Sequence, residues 1–469
     1  MNKVKYSAIV VASLVALSGC GSESKSSTGS NSKPPTPPAP EPTPPPTPEY
    51  FNFQFLQLLT TTTASEVAGC TVFSESTSGS TTTYTYGKLA SDLTAQINNA
   101  DGTINRQLTV PSSGYLKVDK TLVPTGGFIT VIDSPSETDH YYKALSIQRN
   151  LLSNHTINVG RNQGNVQCYS ANQSSNTKEG YASVGVLGLT VTGYDYASTQ
   201  GNSGVVNSTS HEIKALTSEP VLVRAYNNTD LVGYAEVTEL TPAAFGSVKQ
   251  IQALTESVDG SLQTSGHTWN SIGVNLHKSP YNYSWENPSA SGSAFTIKSN
   301  SDLTFNYRAK GTSSTSWNFT VNGVVGSTLD IQLPDSLSLN DTAPTIQQDA
   351  LGHSFINAGV STSGKSLITR AQYNSTVTGS TLTHAIYSVS TNGNTKIPQL
   401  NLPNISASNS NSVSTSAFEV ATLDLNFARY VMTDTGASAS DTVRDLALPN
   451  QIVSQANTLR HSNYTKVSR

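Results

Sequence analysis

The chain has 469 residues and a formal charge of −4, and only 12% of its residues are charged, against about 25% in an average soluble domain. That acidic balance argues against nucleic acid and anionic headgroups as electrostatic partners. Polarity comes instead from Ser, Thr, Asn and Gln, with three cysteines and two methionines, a composition suited to an extracytoplasmic, β-rich body.

In chain order, Lys3 and Lys5 precede a mostly apolar run from Tyr6 to Leu17, and Ser18-Gly19-Cys20 follows. This pattern is an export signal too short to stay in a bilayer as a spanning helix. Leu17-Ser18-Gly19-Cys20 resembles the lipobox of bacterial lipoproteins. The resemblance implies a signal peptide over 1–19, cleavage before Cys20, and acylation of Cys20 with palmitate-type chains. In that family an Asp after the cysteine retains the protein in the inner membrane. Gly21 and Ser22 therefore imply the cell outer membrane, with its lipid as partner through Cys20. Each buried methylene contributes about 0.8 kcal/mol, so several acyl chains hold firmly.

Residues 20–49 form a Ser/Pro-rich tether that cannot bury enough apolar area to offset its ordering entropy, and disorder is expected. Pro34 to Pro48 in polyproline conformation would span roughly 45 Å at about 3.1 Å per residue. The body beyond it reads as mainly β: two or three antiparallel β-sandwich domains, placed at 50–175, 176–340 and 341–469, the last being a third domain or an extension of the second.

Phe51, Phe53 and Phe55 alternate with polar residues, the period of a half-buried strand. Cys70 and Cys168 remain as a pair once Cys20 is lipidated, and a disulfide between them is expected. Ala90 to Asn98 reads as a short helix. Phe128 to Ile132 and Thr156 to Val159 read as strands, and Asp133, Glu137, Asp139 and His140 as a polar loop without calcium-loop spacing. Val184 to Val191 is an apolar run suited to a sandwich interior. Val221–Tyr226 and Leu231–Val237 flank Asn227 to Asp230 as a hairpin.

Trp269, Tyr281, Tyr283 and Trp285 are the candidate glycan-binding residues, because aromatic faces on a β scaffold stack on sugar rings while Asn282 and Glu286 bond hydroxyls. The same alternation also describes a buried strand face. Asn322-Gly323 favours a type I′ turn within a hairpin from Asn318 to Val325, and a second hairpin is expected around Thr391 to Asn394. Gly359 to Ser366 matches the phosphate-loop pattern, but Leu367-Ile368-Thr369 reads as a strand where that loop needs a helix. No nucleotide is expected there. Ile452, Val453, Ala456 and Leu459 follow Pro449 at helical spacing and predict one short helix.

No catalytic residue, metal ligand or cofactor is assigned. His211-Glu212 lacks the second His of a zinc-protease helix, position 215 being Ala. The architecture resembles, loosely, the lipoproteins that coat membrane-sheathed flagella, which implies a structural coat role with envelope or appendage proteins as partners. The alternatives are a glycan-binding adhesin of the cell surface and, third, an extracytoplasmic hydrolase with a dispersed site.

Overall fold

A computed structural model describes residues 48–133, 141–159, 167–170, 177–278, 281–350, 352–363, 366–377, 380–402, 424–433 and 464–468. The lipobox, the tether up to residue 47, the cluster residues Glu137, Asp139 and His140, and the helix expected over 452–459 lie outside the described residues. Pro48–Arg469 forms one compact unit. Among the described residues it is mainly β, and its only helices are single short 3-10 turns.

The first nine strands are β1 (Tyr50–Thr61), β2 (Val72–Ser78), β3 (Thr81–Leu89), β4 (Leu93–Asn98), β5 (Ile104–Leu108), β6 (Tyr115–Asp119), β7 (Phe128–Asp133), β8 (Tyr141–Gln148) and β9 (His155–Val159). Period-two patterning puts Phe51, Phe53 and Phe55 on the buried face of β1. That strand pairs antiparallel with β3 and β6 and parallel with β9. The opposing layer is β5-β4-β7-β8, and Phe53, Phe55 and Ile157 meet Ile97, Ile129 and Ile147 between the two. The helix expected over Ala90 to Asn98 is instead β4. Leu93, Ala95 and Ile97 are all buried, so the strand alternation prevails once β4 is paired on both sides.

Cys70 and Cys168 are disulfide-bonded, with Cα atoms 4.9 Å apart and a sequence separation of 98. Closing a loop of that size removes about 4.7 kcal/mol of unfolded-chain entropy in the simple loop model. The bond fixes a segment that hydrogen-bonds along β3: Tyr169 N–H donates to the Gly87 carbonyl at 2.9 Å and Leu89 N–H to the Gln167 carbonyl at 3.0 Å.

A second sandwich follows: β10 (Thr177–Gly185), β11 (Gly193–Ser198), β12 (Gly201–Val206), β13 (Ser210–Leu216), β14 (Val221–Asn227), β15 (Asp230–Val237), β16 (Val248–Gln250) and β17 (Gln252–Ala253). Its sheets are β13-β10-β16 and β12-β11-β14-β15-β17, packed around Val184, Tyr196, Val223 and Ala235. The β14–β15 hairpin closes where expected, with Asn227 opposite Asp230 and Asn228 at φ 54°. The apolar run to Val191 is not one buried strand. The chain leaves the sheet after Gly185, turns at Gly188 (φ 73°) and leaves Leu187 84% exposed.

The third group is β18 (Glu256–Leu262), β19 (His267–Lys278), β20 (Tyr281–Glu286), β21 (Ala294–Ser299), β22 (Phe305–Ser313), β23 (Asn318–Val324) and β24 (Leu329–Ile331). Here β21-β18-β24 faces β20-β19-β22-β23 across a core that includes Trp285, Ile297 and Phe305. Asn322-Gly323 does not turn. It stays extended within β23, opposite Arg308 and Tyr307 of β22, because pairing along the whole strand outweighs the local turn preference.

The remaining strands are β25 (Leu337–Leu339), β26 (Thr345–Asp349), β27 (Gly352–Ile356), β28 (Val360–Thr362), β29 (Leu367–Val377), β30 (Ser380–Ser390), β31 (Thr395–Lys396), β32 (Asp424–Thr433) and β33 (Tyr464–Ser468). Gly393 turns the chain after β30 at φ 74°, but β31 pairs with β27 and so makes no hairpin there. The phosphate-loop look-alike runs from β28 into β29, both strands. Its Gly359 answers a steric need, since a Cβ there would lie 2.3 Å from the Thr342 carbonyl and 2.4 Å from Trp317.

All three stretches placed at 50–175, 176–340 and 341–469 contribute to one twelve-stranded sheet, ordered β20-β19-β22-β23-β33-β32-β29-β30-β8-β7-β4-β5. Every pairing in it is antiparallel except β30 with β8. Strands lie about 4.8 Å apart, so the sheet extends roughly 50 Å across its strands.

Candidate functional site

The four aromatics expected to bind glycans are core residues. Trp269 is 5%, Tyr281 7%, Tyr283 3% and Trp285 0% exposed. β20 directs Tyr281, Tyr283 and Trp285 into the seam between the sandwich of β10–β17 and that of β18–β24, and β19 packs Trp269 against Phe319 within the latter. Trp285 stands edge-on to Tyr234 at 5.7 Å and lies against Phe305 at 5.3 Å. Its indole N–H donates to the Lys298 carbonyl at 2.8 Å, and that of Trp269 to the Gln263 carbonyl at 2.6 Å. Tyr283 donates to the Pro220 carbonyl at 2.6 Å, and the Tyr281 hydroxyl meets Ser218 Oγ at 2.7 Å.

Asn282 and Glu286, the expected hydroxyl partners, are half-buried and hydrogen-bonded to neighbouring strands. Asn282 Oδ1 accepts from Asn306 Nδ2 at 2.8 Å, and Glu286 Oε2 accepts from the Lys298 N–H at 2.7 Å. Burial raises the Glu286 pKa. No ring face in this segment is open to a sugar, which removes the stacking platform the sequence suggested. The alternation over Tyr281, Tyr283 and Trp285 marks a buried face.

The same seam holds a buried ion pair that sequence reading missed. Arg224 of β14 pairs with Asp195 of β11 and also donates to the Trp285 carbonyl. Asp195 accepts from Asn202 Nδ2 at 3.3 Å as well. The signal available in sequence was a lone Arg inside an otherwise apolar strand, and its partner lies 29 residues away.

A second polar array has the residue types of a catalytic site. From β29 to β4, hydrogen bonds run from Tyr373 Oη to His384 Nδ1 (2.8 Å), from His384 Nε2 to Ser146 Oγ (2.7 Å), from Ser146 to Thr130 (2.7 Å) and from Thr130 Oγ1 to Asn98 Oδ1 (2.9 Å). A Ser–His contact of 2.7 Å fits a nucleophile and base. Yet Ser146, His384, Thr130 and Asn98 are 0% exposed and Tyr373 is 1%. Burial pushes the His384 pKa down to about 3, so the ring is neutral at ordinary pH. The array fills the hydrogen-bonding capacity of groups enclosed in the sheet, and none of its five side chains is open to solvent.

One open groove lies on the opposite face of β7, β8, β30 and β29, with a volume near 340 Å³. Val131, Leu145 and Ala385 line its apolar middle, and Ile157 and Val159 of β9 also border it. Asp133 sits opposite Lys143, and Lys143 opposite Thr383, in one cross-strand row. A second row carries Arg370 opposite Tyr387. Arg370 is oriented by its own strand pair, donating from Nε to Tyr387 Oη at 2.8 Å and from Nη2 to Gln372 Oε1 at 2.7 Å. These groups suit binding of a polar molecule. Sequence reading noted Asp133 alone among these charged groups, because the groove is assembled from two segments far apart in the chain, β7–β9 and β29–β30.

Among the described residues no group of three or more His, Cys, Asp or Glu could hold a metal ion, and no helix is long and apolar enough to cross a membrane. Comparison with protein-family models and with curated proteins finds no match.

Proposed function

We propose that the chain is a lipid-anchored protein of the bacterial outer membrane, displayed at the cell surface in a structural coat role, and that it is a component of a flagellar sheath. The observation that carries this reading is the lipobox Leu17-Ser18-Gly19-Cys20. The Pro-rich sequence behind it has the composition of a spacer between an anchor and a body. The fold supports a structural part because one twelve-stranded sheet links β4, β5, β7 and β8 to β19, β20, β22 and β23, so load applied at one of these groups passes to the other through backbone hydrogen bonds. The Cys70–Cys168 bond suits an oxidising compartment. The adhesin alternative loses its support with the burial of Trp269, Tyr281, Tyr283 and Trp285.

Immunogold labelling of intact cells with antibodies against residues 50–469 tests the reading. Gold is expected on the outer surface, densest along the sheathed appendage. Labelling that appears only after the outer membrane is permeabilised would overturn surface display.

A further inference from the structure

The position of β33 in the long sheet is unusual for how the chain reaches it. β33 lies between β23 and β32 and pairs antiparallel with both, Val321 facing Thr465 on one side and Met432 facing the same residue on the other. Without it the sheet separates into β20-β19-β22-β23 and the seven strands from β32 to β5. Thr465 is 4% and Val467 2% exposed, and Val467 belongs to the core cluster that contains Trp269, Trp317 and Phe319. Five residues thus make the sheet continuous between β23 and β32.

Antiparallel neighbours are ordinarily joined by two to five residues. Thirty residues, 434–463, separate β32 from β33. A connection of that length reaches up to about 100 Å when fully extended, so chain connectivity does not require β33 to occupy the slot of its own molecule. The contacts made in the slot are the same whichever copy supplies the strand, the condition under which exchange of an element between protomers costs little.

We propose that the slot between β23 and β32 is a strand-acceptor site whose partner at the membrane is β33 of a second copy of this chain. This rests on the surface-coat reading, because tethering copies in one membrane raises the local concentration at which intermolecular seating competes with seating in the same chain. Strand addition supplies affinity through main-chain hydrogen bonds and specificity through the alternate side chains Thr465 and Val467. Donation from each copy to the next is a head-to-tail contact that need not close, and such contacts build chains rather than discrete pairs.

Cysteine trapping in the full-length, membrane-anchored protein tests this. With Cys70 and Cys168 bonded and Cys20 acylated under the same reading, introduced thiols are the reactive ones. Val321 faces Thr465 and Thr320 faces Lys466. Adjacent register pairs alternate between close and wide spacing, so one of the two is the close type. Two differently tagged chains, one Val321→Cys and the other Thr465→Cys, are co-expressed, and Thr320→Cys with Lys466→Cys likewise. A disulfide-linked species carrying both tags and lost on reduction is expected in at least one pairing. The exchange is overturned if the doubly substituted chain closes only on itself and the co-expressed single variants give no mixed species. A double variant that closes in neither register, within or between chains, would remove the slot itself. Either failure leaves the immunogold result standing on its own, so loss of strand exchange and loss of surface display are separable.

Discussion

Arg224→Ala is expected to destabilise the body by about 3–5 kcal/mol, the range for removing one partner of a buried ion pair. The side chains of Arg224 and Asp195 are 9% and 4% exposed, and the truncation leaves both the Asp195 carboxylate and the Trp285 carbonyl without their guanidinium donor. The penalty comes from the buried charge left behind, which is why the partner substitution should reverse much of it. Asp195→Leu combined with Arg224→Met is expected to return to within about 2 kcal/mol of the native chain. Urea unfolding followed by tryptophan fluorescence reads both, since Trp269, Trp285 and Trp317 all lie in the cluster bordering this seam. A single variant within 1 kcal/mol of native would show that the pair does not secure the seam.

His384 should make stability fall with acid. Its folded pKa is pushed by burial from the ordinary value near 6.5 to about 3. Between those values the unfolded chain takes up a proton that the folded chain excludes. The contribution is therefore complete above pH 6.5 and is lost progressively as pH falls toward 3, at about 1.4 kcal/mol per pH unit inside the window. From pH 6.5 to 5 the expected loss is about 2 kcal/mol. His277, lowered by partial burial against the opposing effect of its hydrogen bond to Asn282 Oδ1, acts with the same sign. Glu286, raised by burial, acts with the opposite sign. The difference between the native chain and His384→Gln isolates the buried ring. The variant's unfolding midpoint should show a shallower decline over pH 6.5 to 5, and parallel profiles would exclude His384 as the source.

Much of the fold was legible because period-two patterning survives wherever one strand face is buried, as at Phe51, Phe53 and Phe55 or at Tyr281, Tyr283 and Trp285. The errors have a common origin in tertiary pairing. Leu93 and Ile97 satisfy a helical i, i+4 spacing and a strand i, i+2 series through Ala95, and only the neighbours of β4 decide between them. Asn322-Gly323 is a strong local turn signal held extended by β22 and β33 on either side. The aromatic segment was legible as a face but not as a face turned inward, because its covering residues, such as Tyr234 and Pro220, come from the preceding sandwich. The His384 array and the groove left no trace in sequence for the same reason. Ser146 and His384 are 238 residues apart, and neither carries a motif. The disulfide was legible from cysteine number once Cys20 was set aside for the lipid anchor in an oxidising location.

Metabolic labelling with radioactive palmitate, followed by carbonate washing of the envelope, tests whether the proposed acyl chains on Cys20 hold this protein at the membrane. The native chain is expected to be labelled and to remain in the washed pellet, with Cys20→Ser unlabelled and recovered in the supernatant. Label on the Cys20→Ser chain, or its retention in the washed pellet, would contradict the account.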